Sequence, residues 1–249
     1  MKKYIAILIS TFFLNSCDAD STKDCLRGSG KTETRILDIS GLEQLTIREN
    51  IGLEITFTTE ENLEITGGKH HLDQLEIIQN GNEFEFKVEG LCSTGFSEPP
   101  IVLKLKSSNL NYVRNSSQFD VISTNMLEFE KLSLVSEDFN DTEALSLGNF
   151  KIEVDNSLVN ITGSGISDFE LSGKTERLNF GTFSGSGTVS ARQLEAEVVT
   201  FFHRSFKNAV VTPIQRLEGE IRSFGHIIST KKPPQIDVKA FYTGQLIFE

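Results

Sequence analysis

Residues 150–187 read FKIEVDNSLVNITGSGISDFELSGKTERLNFGTFSGSG, and two periods run through them. The short period is two. Phe150-Lys151-Ile152-Glu153-Val154 and Phe169-Glu170-Leu171 put apolar residues on one face and polar residues on the other, as a strand packed on one side requires. The long period is near twenty. Gly163-Ser164-Gly165 returns as Gly185-Ser186-Gly187 at an offset of 22, and Arg204-Ser205-Phe206 returns as Arg222-Ser223-Phe224 at an offset of 18. Each triplet is followed by an alternating segment and another polar break. A unit of about 20 residues is the length of one solenoid coil. The expected fold is therefore all-β, a parallel β-helix or solenoid. A β-sandwich, the alternative, also gives alternation, but it does not return one triplet at a fixed spacing.

In such a helix each coil sets its inward residue above that of the coil below. Ser117-Gln118-Phe119 and Glu137-Asp138-Phe139 lie in phase with the later triplets. The expected inward column therefore runs Phe119, Phe139, the two Gly-Ser-Gly triplets, Phe206 and Phe224. Alternation extends to both sides of the opening stretch. Leu45-Thr46-Ile47, Leu53-Glu54-Ile55-Thr56-Phe57, Leu63-Glu64-Ile65 and Phe84-Glu85-Phe86-Lys87-Val88 lie upstream, with Val102-Leu103-Lys104-Leu105 after them. Leu217-Glu218-Gly219-Glu220-Ile221 lies downstream, and Gln245-Leu246-Ile247-Phe248-Glu249 ends the chain on an apolar strand. Strands of about five residues are expected throughout. The only helical candidate is short, around His71-Leu72-Asp73-Gln74-Leu75.

Composition agrees with a dry, regular interior. The chain has 19 Phe, no Trp, 3 Tyr and 2 Met, so large apolar area arrives without polar atoms to satisfy. Its formal charge of −11 repels phosphate backbones, and no Lys/Arg cluster offsets that field, which argues against nucleic acid as a partner.

The first residues are an export signal. Lys2 and Lys3 precede the apolar run Ile5–Leu14, which is about half the length of a spanning helix. Leu14-Asn15-Ser16-Cys17 resembles the lipobox of bacterial lipoproteins. That resemblance implies cleavage before Cys17 and diacylglycerol on its thiol, so the membrane becomes a partner through the N-terminal lipid. The organisation expected is a signal peptide over 1–16, a lipidated polar tether over 17–33 and a β-solenoid over 34–249. Two cysteines remain, Cys25 and Cys92. In an oxidising compartment they are candidates for one disulfide, with two free thiols as the alternative.

The order and spacing of several short motifs resemble the head GIN domain family, the auto-transporter adhesin head found in Bacteroidota lipoproteins. The first stretch runs from Leu42 to Val88 through Ile51-Gly52-Leu53-Glu54-Ile55, Leu63-Glu64-Ile65-Thr66, Leu75-Glu76-Ile77 and Asn80-Gly81-Asn82-Glu83-Phe84. The second runs through the Gly-Ser-Gly triplets to Ser223-Phe224-Gly225, Lys232-Pro233-Pro234 and Tyr242-Thr243-Gly244. The resemblance implies a right-handed β-helix at the cell envelope, anchored to the outer membrane and facing the cell surface or the periplasm. It also implies cysteines near the domain start and after the first strand group, as Cys25 and Cys92 are placed.

Signals of chemistry are sparse. His70-His71 follows Gly67-Gly68 and reads as an exposed turn, while His203 and His226 each neighbour a Ser-Phe pair and are placed to face one another across two coils. No metal site is assigned to them and no cofactor is implied. No Gly-x-Ser-x-Gly elbow in a strand-to-helix context is present. The acidic run Glu137-Asp138-Phe139-Asn140-Asp141-Thr142-Glu143 lacks the glycine spacing of calcium loops and reads as a solvated turn. The expected function is a non-catalytic binding or structural module, adhesin-like, with a glycan or protein ligand. The alternative is a polysaccharide lyase or hydrolase, which needs carboxylates and a Lys or Arg converging on a groove.

Overall fold

The computed structural model describes residues 28–88, 91, 98–142 and 144–249. Cys17, Cys25 and Cys92, the signal segment and the tether up to residue 27 lie outside the described residues, as does Glu143.

The chain is all-β, a strongly curled open sheet with a single short helical turn among the described residues. Two ladders of strands run side by side. One ladder passes in order through β5 (Leu75–Asn80), β6 (Glu83–Val88), β2 (Gln44–Ile47), β8 (Tyr112–Asn115) and β10 (Lys131–Ser136). The other passes through β1 (Thr32–Leu37), β4 (Asn62–Gly68), β7 (Ile101–Ser107), β3 (Ile51–Phe57) and β9 (Val121–Ser123). Both then enter four long strands, β11 (Phe150–Gly165), β12 (Phe169–Gly185), β13 (Val189–His203) and β14 (Ala209–Ile221). The ladders finish separately, on β16 (Gln235–Ala240) and on β15 (Ile227–Ser229) with β17 (Leu246–Phe248).

The long strands correct the expected length. They run 16, 17, 15 and 13 residues rather than about five. Within each long strand the chain turns from one ladder to the other, with register shifts between Ala191/Glu195 and Ala196/Val198 in the β13–β14 pair. Gly173 makes such a corner in β12 with φ +100°, in the left-handed region that side chains resist.

Pairing between the long strands is parallel. Phe150 lies beside Phe169, Ile161 beside Phe180, and Phe180 beside Phe201. The N-terminal part departs from that rule, because β1, β4 and β7 pair antiparallel, as do β5 and β6. For β5 and β6 a short connection explains the reversal, since parallel pairing needs a long crossover. The β5–β6 hairpin closes on Gly81 at φ +63°, and the helical turn α1 (Lys69–Leu72) follows β4 directly.

Period-two alternation builds the core. In register, Leu134, Ile161, Phe180 and Phe201 form one buried column, while Leu132, Val159, Leu178, Val199 and Leu217 form another. Phe150 and Phe169 stack at 4.9 Å with their planes 8° apart, both fully buried. Each such ring contributes roughly 1.5–3 kcal/mol through burial. Side chains on the outer face also form columns: Asn179 donates from its amide nitrogen to Asn160 Oδ1 at 3.0 Å.

The two long-range repeats fare differently. The Arg-Ser-Phe repeat is in register, since His203 pairs with Ile221 and so sets Arg204 beside Arg222. The Gly-Ser-Gly repeat is not. Ser164 pairs with Ser184 and Gly165 with Gly185, an offset of 20, after a bulge at Gly163/Ser164. The expected inward Phe column is reversed as well. Ser205 and Ser223 face inward, whereas Phe139, Phe206 and Phe224 face solvent. Alternation through Arg-Ser-Phe buries the middle residue, so the small hydroxyl takes the interior and the ring is left outside.

Candidate functional site

The outward-turned rings gather along one edge of the sheet. Phe206 and Phe224 sit on neighbouring strand ends with ring centroids 5.8 Å apart and planes 13° apart. Tyr242 follows, 6.3 Å from Phe224. Phe139 packs edge-on to Phe183 at 5.8 Å, and Phe183 stacks with Phe202 at 5.4 Å. Relative exposures are 53% for Phe139, 40% for Phe183, 63% for Phe206, 56% for Phe224 and 67% for Tyr242. Isolated exposed apolar residues are ordinary, but two groups of rings in mutual contact mark a contact surface.

Two arginines interleave with the rings. Together Ser184, Gly185, Arg204, Phe206, Arg222, Ser223, Phe224 and Tyr242 line an open groove of about 470 Å³. Arg222 is pinned. Its guanidinium lies 3.8 Å from the Phe241 ring centroid and pairs with Glu220 at 2.7 Å. Arg204 is exposed and has no ion-pair partner among the described residues. None of the groove's lining residues is a carboxylate. In sequence the Arg-Ser-Phe repeat reads as a turn with its ring inside. The signal that points to the groove instead is the arginine two residues before each ring, which alternation places on the same outer face.

A second groove, of about 610 Å³, holds Glu54, Glu98, Asp120 and Lys151 beside Gly52, Pro99 and Phe119. These are the residue types a polysaccharide-cleaving site needs. Asp120 is occupied: it accepts from Lys151 Nζ at 2.7 Å, from the Asn149 backbone N–H at 3.0 Å and from the Asn149 amide at 3.2 Å. Burial alone would raise its pKa, but these donors outweigh burial and hold the carboxyl below its ordinary value. A general acid needs the opposite shift.

The remaining candidates are structural. His71 is buried in the helical turn α1 rather than lying in an exposed turn, and burial lowers its pKa. His70 Nδ1 lies 2.7 Å from the Gly28 carbonyl. His203 and His226 have separate partners. His203 is fully buried between Thr182 Oγ1 at 2.9 Å and the Lys207 carbonyl at 3.0 Å, and burial lowers its pKa despite that carbonyl. His226 Nδ1 accepts the Gln245 backbone N–H at 3.0 Å. Among the described residues no three His, Cys, Asp or Glu side chains are grouped as a metal site requires.

In the acidic run Asp138, Phe139, Asn140 and Thr142 are exposed, as a solvated turn requires, but Glu137 is not. Glu137 is buried and bonded to Arg114 at 2.6 Å, and its second oxygen accepts the Asn140 N–H at 3.0 Å. Asp138 accepts from Ser164 Oγ at 2.9 Å, and Asp141 pairs with Arg48. Burial pushes the Glu137 carboxyl up, but the Asn140 N–H and Arg114 outweigh it and hold the pKa below the ordinary value. Its contribution to stability is therefore complete above the unfolded-state value, about 4.3, and is lost as pH falls through the lower folded-state value. Glu137→Gln is expected to destabilise the protein by roughly 2 kcal/mol at pH 7, below the cost of breaking a fully buried pair because glutamine keeps an acceptor. Urea unfolding at pH 7 and pH 3 checks this, and the gap between wild type and variant should shrink at the lower pH.

The comparisons with known proteins agree with this architecture. A crystal structure from Bacteroides fragilis NCTC 9343, described as a "putative adhesin", superposes with a TM-score of 0.76 at 17% identity, covering 88% of this chain and 97% of its own. A protein from Parabacteroides distasonis ATCC 8503, described as a "putative lipid binding protein", gives 0.64 at 17% identity, covering 89% and 98%. Another "putative adhesin", from Parabacteroides merdae ATCC 43184, gives 0.61 at 16% identity with 89% and 98% covered. At such identities the likeness is one of fold. No curated protein matches the sequence. The model of the family described as "Putative auto-transporter adhesin, head GIN domain" matches residues 41–233, most of the described β-structure, and this chain belongs to that family.

Proposed function

We propose that the chain is an envelope lipoprotein whose body, residues 34–249, is a right-handed parallel β-helix serving as a non-catalytic, adhesin-like contact module. The observation that carries the reading is the exposed aromatic edge of Phe139, Phe183, Phe206, Phe224 and Tyr242. Parallel ladders between successive long strands support the β-helix, and family membership supports the adhesin-like role. In this reading residues 1–16 are removed, Cys17 carries the lipid, and residues 17–33 lift the body off the outer membrane. A disulfide between Cys25 and Cys92 then ties the tether to the domain, contributing about 2–4 kcal/mol.

Protease shaving of intact native cells, followed by immunoblotting, tests the location. Loss of the full-length signal is expected. In parallel, Cys17→Ser should move the protein from the membrane to the soluble fraction. Full protection from protease would place the body in the periplasm and end the adhesin reading. Retention of the Cys17→Ser variant in the membrane would end the lipid-anchor reading. The enzymatic alternative finds no support in the second groove, where Asp120, bonded to Lys151, is held in its charged form.

A further inference from the structure

We infer that the groove between Arg204, Arg222, Phe206, Phe224 and Tyr242 is a binding site for a polysaccharide that carries carboxylates, a polyuronate. The inference rests on the contact-module reading and names its ligand class. Three observations point to it. First, Phe206, Phe224 and Tyr242 follow one another at 5.8 and 6.3 Å on successive turns of the chain. That spacing comes from the rise of about 4.8 Å between paired strands, close to the length of one pyranose in an extended chain. A polymer of sugars can therefore meet one ring per residue, its C–H faces lying against apolar surface.

Second, the groove carries one arginine, Arg204, with no ion-pair partner among the described residues, in a chain whose formal charge is −11. Arg204 and Arg222 are set side by side by the His203–Ile221 register, and no carboxylate lines the groove. Arg222 is held in place by Phe241 and Glu220. A free guanidinium offers a planar fork of donors that matches a carboxylate. Third, rings and arginines together line one open groove, along which an extended polymer can lie.

The test uses the purified protein and calorimetric titration with oligogalacturonate. The same oligomer with every carboxyl methyl-esterified is the uncharged control, and vesicles of phosphatidylcholine with phosphatidylglycerol are a third ligand. Binding of the acid form, weakened by salt and lost on esterification, is expected. Arg204→Ala should lower affinity at least tenfold, since a hydrogen bond to a charged group is lost. The Phe206→Ala/Phe224→Ala double variant should lower it further. Arg177→Ala, an exposed arginine outside the groove, should bind as wild type does, and circular dichroism confirms that each variant is folded. The assignment is overturned by absence of binding, by equal binding of the ester, by an unaffected Arg204→Ala, or by binding to vesicles alone. Cell shaving and this titration fail independently: a protected body that binds the oligomer sinks only the surface location, and a shaved body that ignores it sinks only the ligand.

Discussion

Gly173→Ala is expected to destabilise the protein by about 3–5 kcal/mol, a large part of the stability of a typical domain. Gly173 sits at φ +100° where β12 turns from one ladder into the other. A non-glycine residue held there costs about 1–3 kcal/mol in backbone strain. A Cβ would also lie 2.0 Å from the Val154 carbonyl oxygen of β11, an approach no side chain tolerates. The corner must then open, and it is paired on both sides, to Val154 of β11 and to Leu194 of β13. Relieving the clash therefore disturbs three strands together. Thermal or urea unfolding of the variant measures the loss. A change below about 1 kcal/mol, the ordinary effect of a substitution, would mean that the corner relaxes freely and that the register at Gly173 is not what holds the coil.

Phe169→Ala should cost about 3–5 kcal/mol, the range for removing a buried aromatic ring. Phe169 is fully buried and stacked on Phe150, and its register neighbour on the other side is Val189. The space it leaves cannot collapse easily, because every lining residue belongs to a strand tied in parallel to the next. Phe169→Leu keeps most of the volume and should cost less than half as much. A control at the surface is Phe224→Ala, which removes a ring that is 56% exposed and should change stability by less than about 1 kcal/mol. Equal losses at Phe169 and Phe224 would contradict the assignment of one ring to the core and the other to the contact edge.

That division between inner and outer rings marks the boundary between what residue order says and what folding adds. Alternation alone identified the strand segments around Leu45, Leu53, Leu63, Phe84, Val102, Phe150, Phe169 and Leu217, and all lie in strands. It did so because the side-chain period of a strand is a local property of the backbone. The Arg-Ser-Phe repeat was legible for the same reason, being an in-register match between neighbouring strands. The Gly-Ser-Gly repeat misled because its offset of 22 matches no register: β11 and β12 pair at an offset of 19 up to Gly163 and of 20 from Ser164.

Residue order thus specified the all-β class, the strand segments, a repeat near twenty and, through the sequence of its motifs, the family. It left the candidate site open. Which residue of a turn triplet points inward depends on the phase at which the chain rounds each corner. That phase is set by neighbouring strands, which put Ser205 and Ser223 inside and Phe206 and Phe224 outside. Pairing of successive strands, and nothing local, brought Arg204 beside Arg222 and Phe206 beside Phe224, because the two triplets are distant in the chain until their strands meet. Likewise Glu137 and Asp141 of the acidic run gained their partners only once Arg114 and Arg48 arrived from other parts of the chain. Long-range pairing decides charge partners, and no local pattern encodes it.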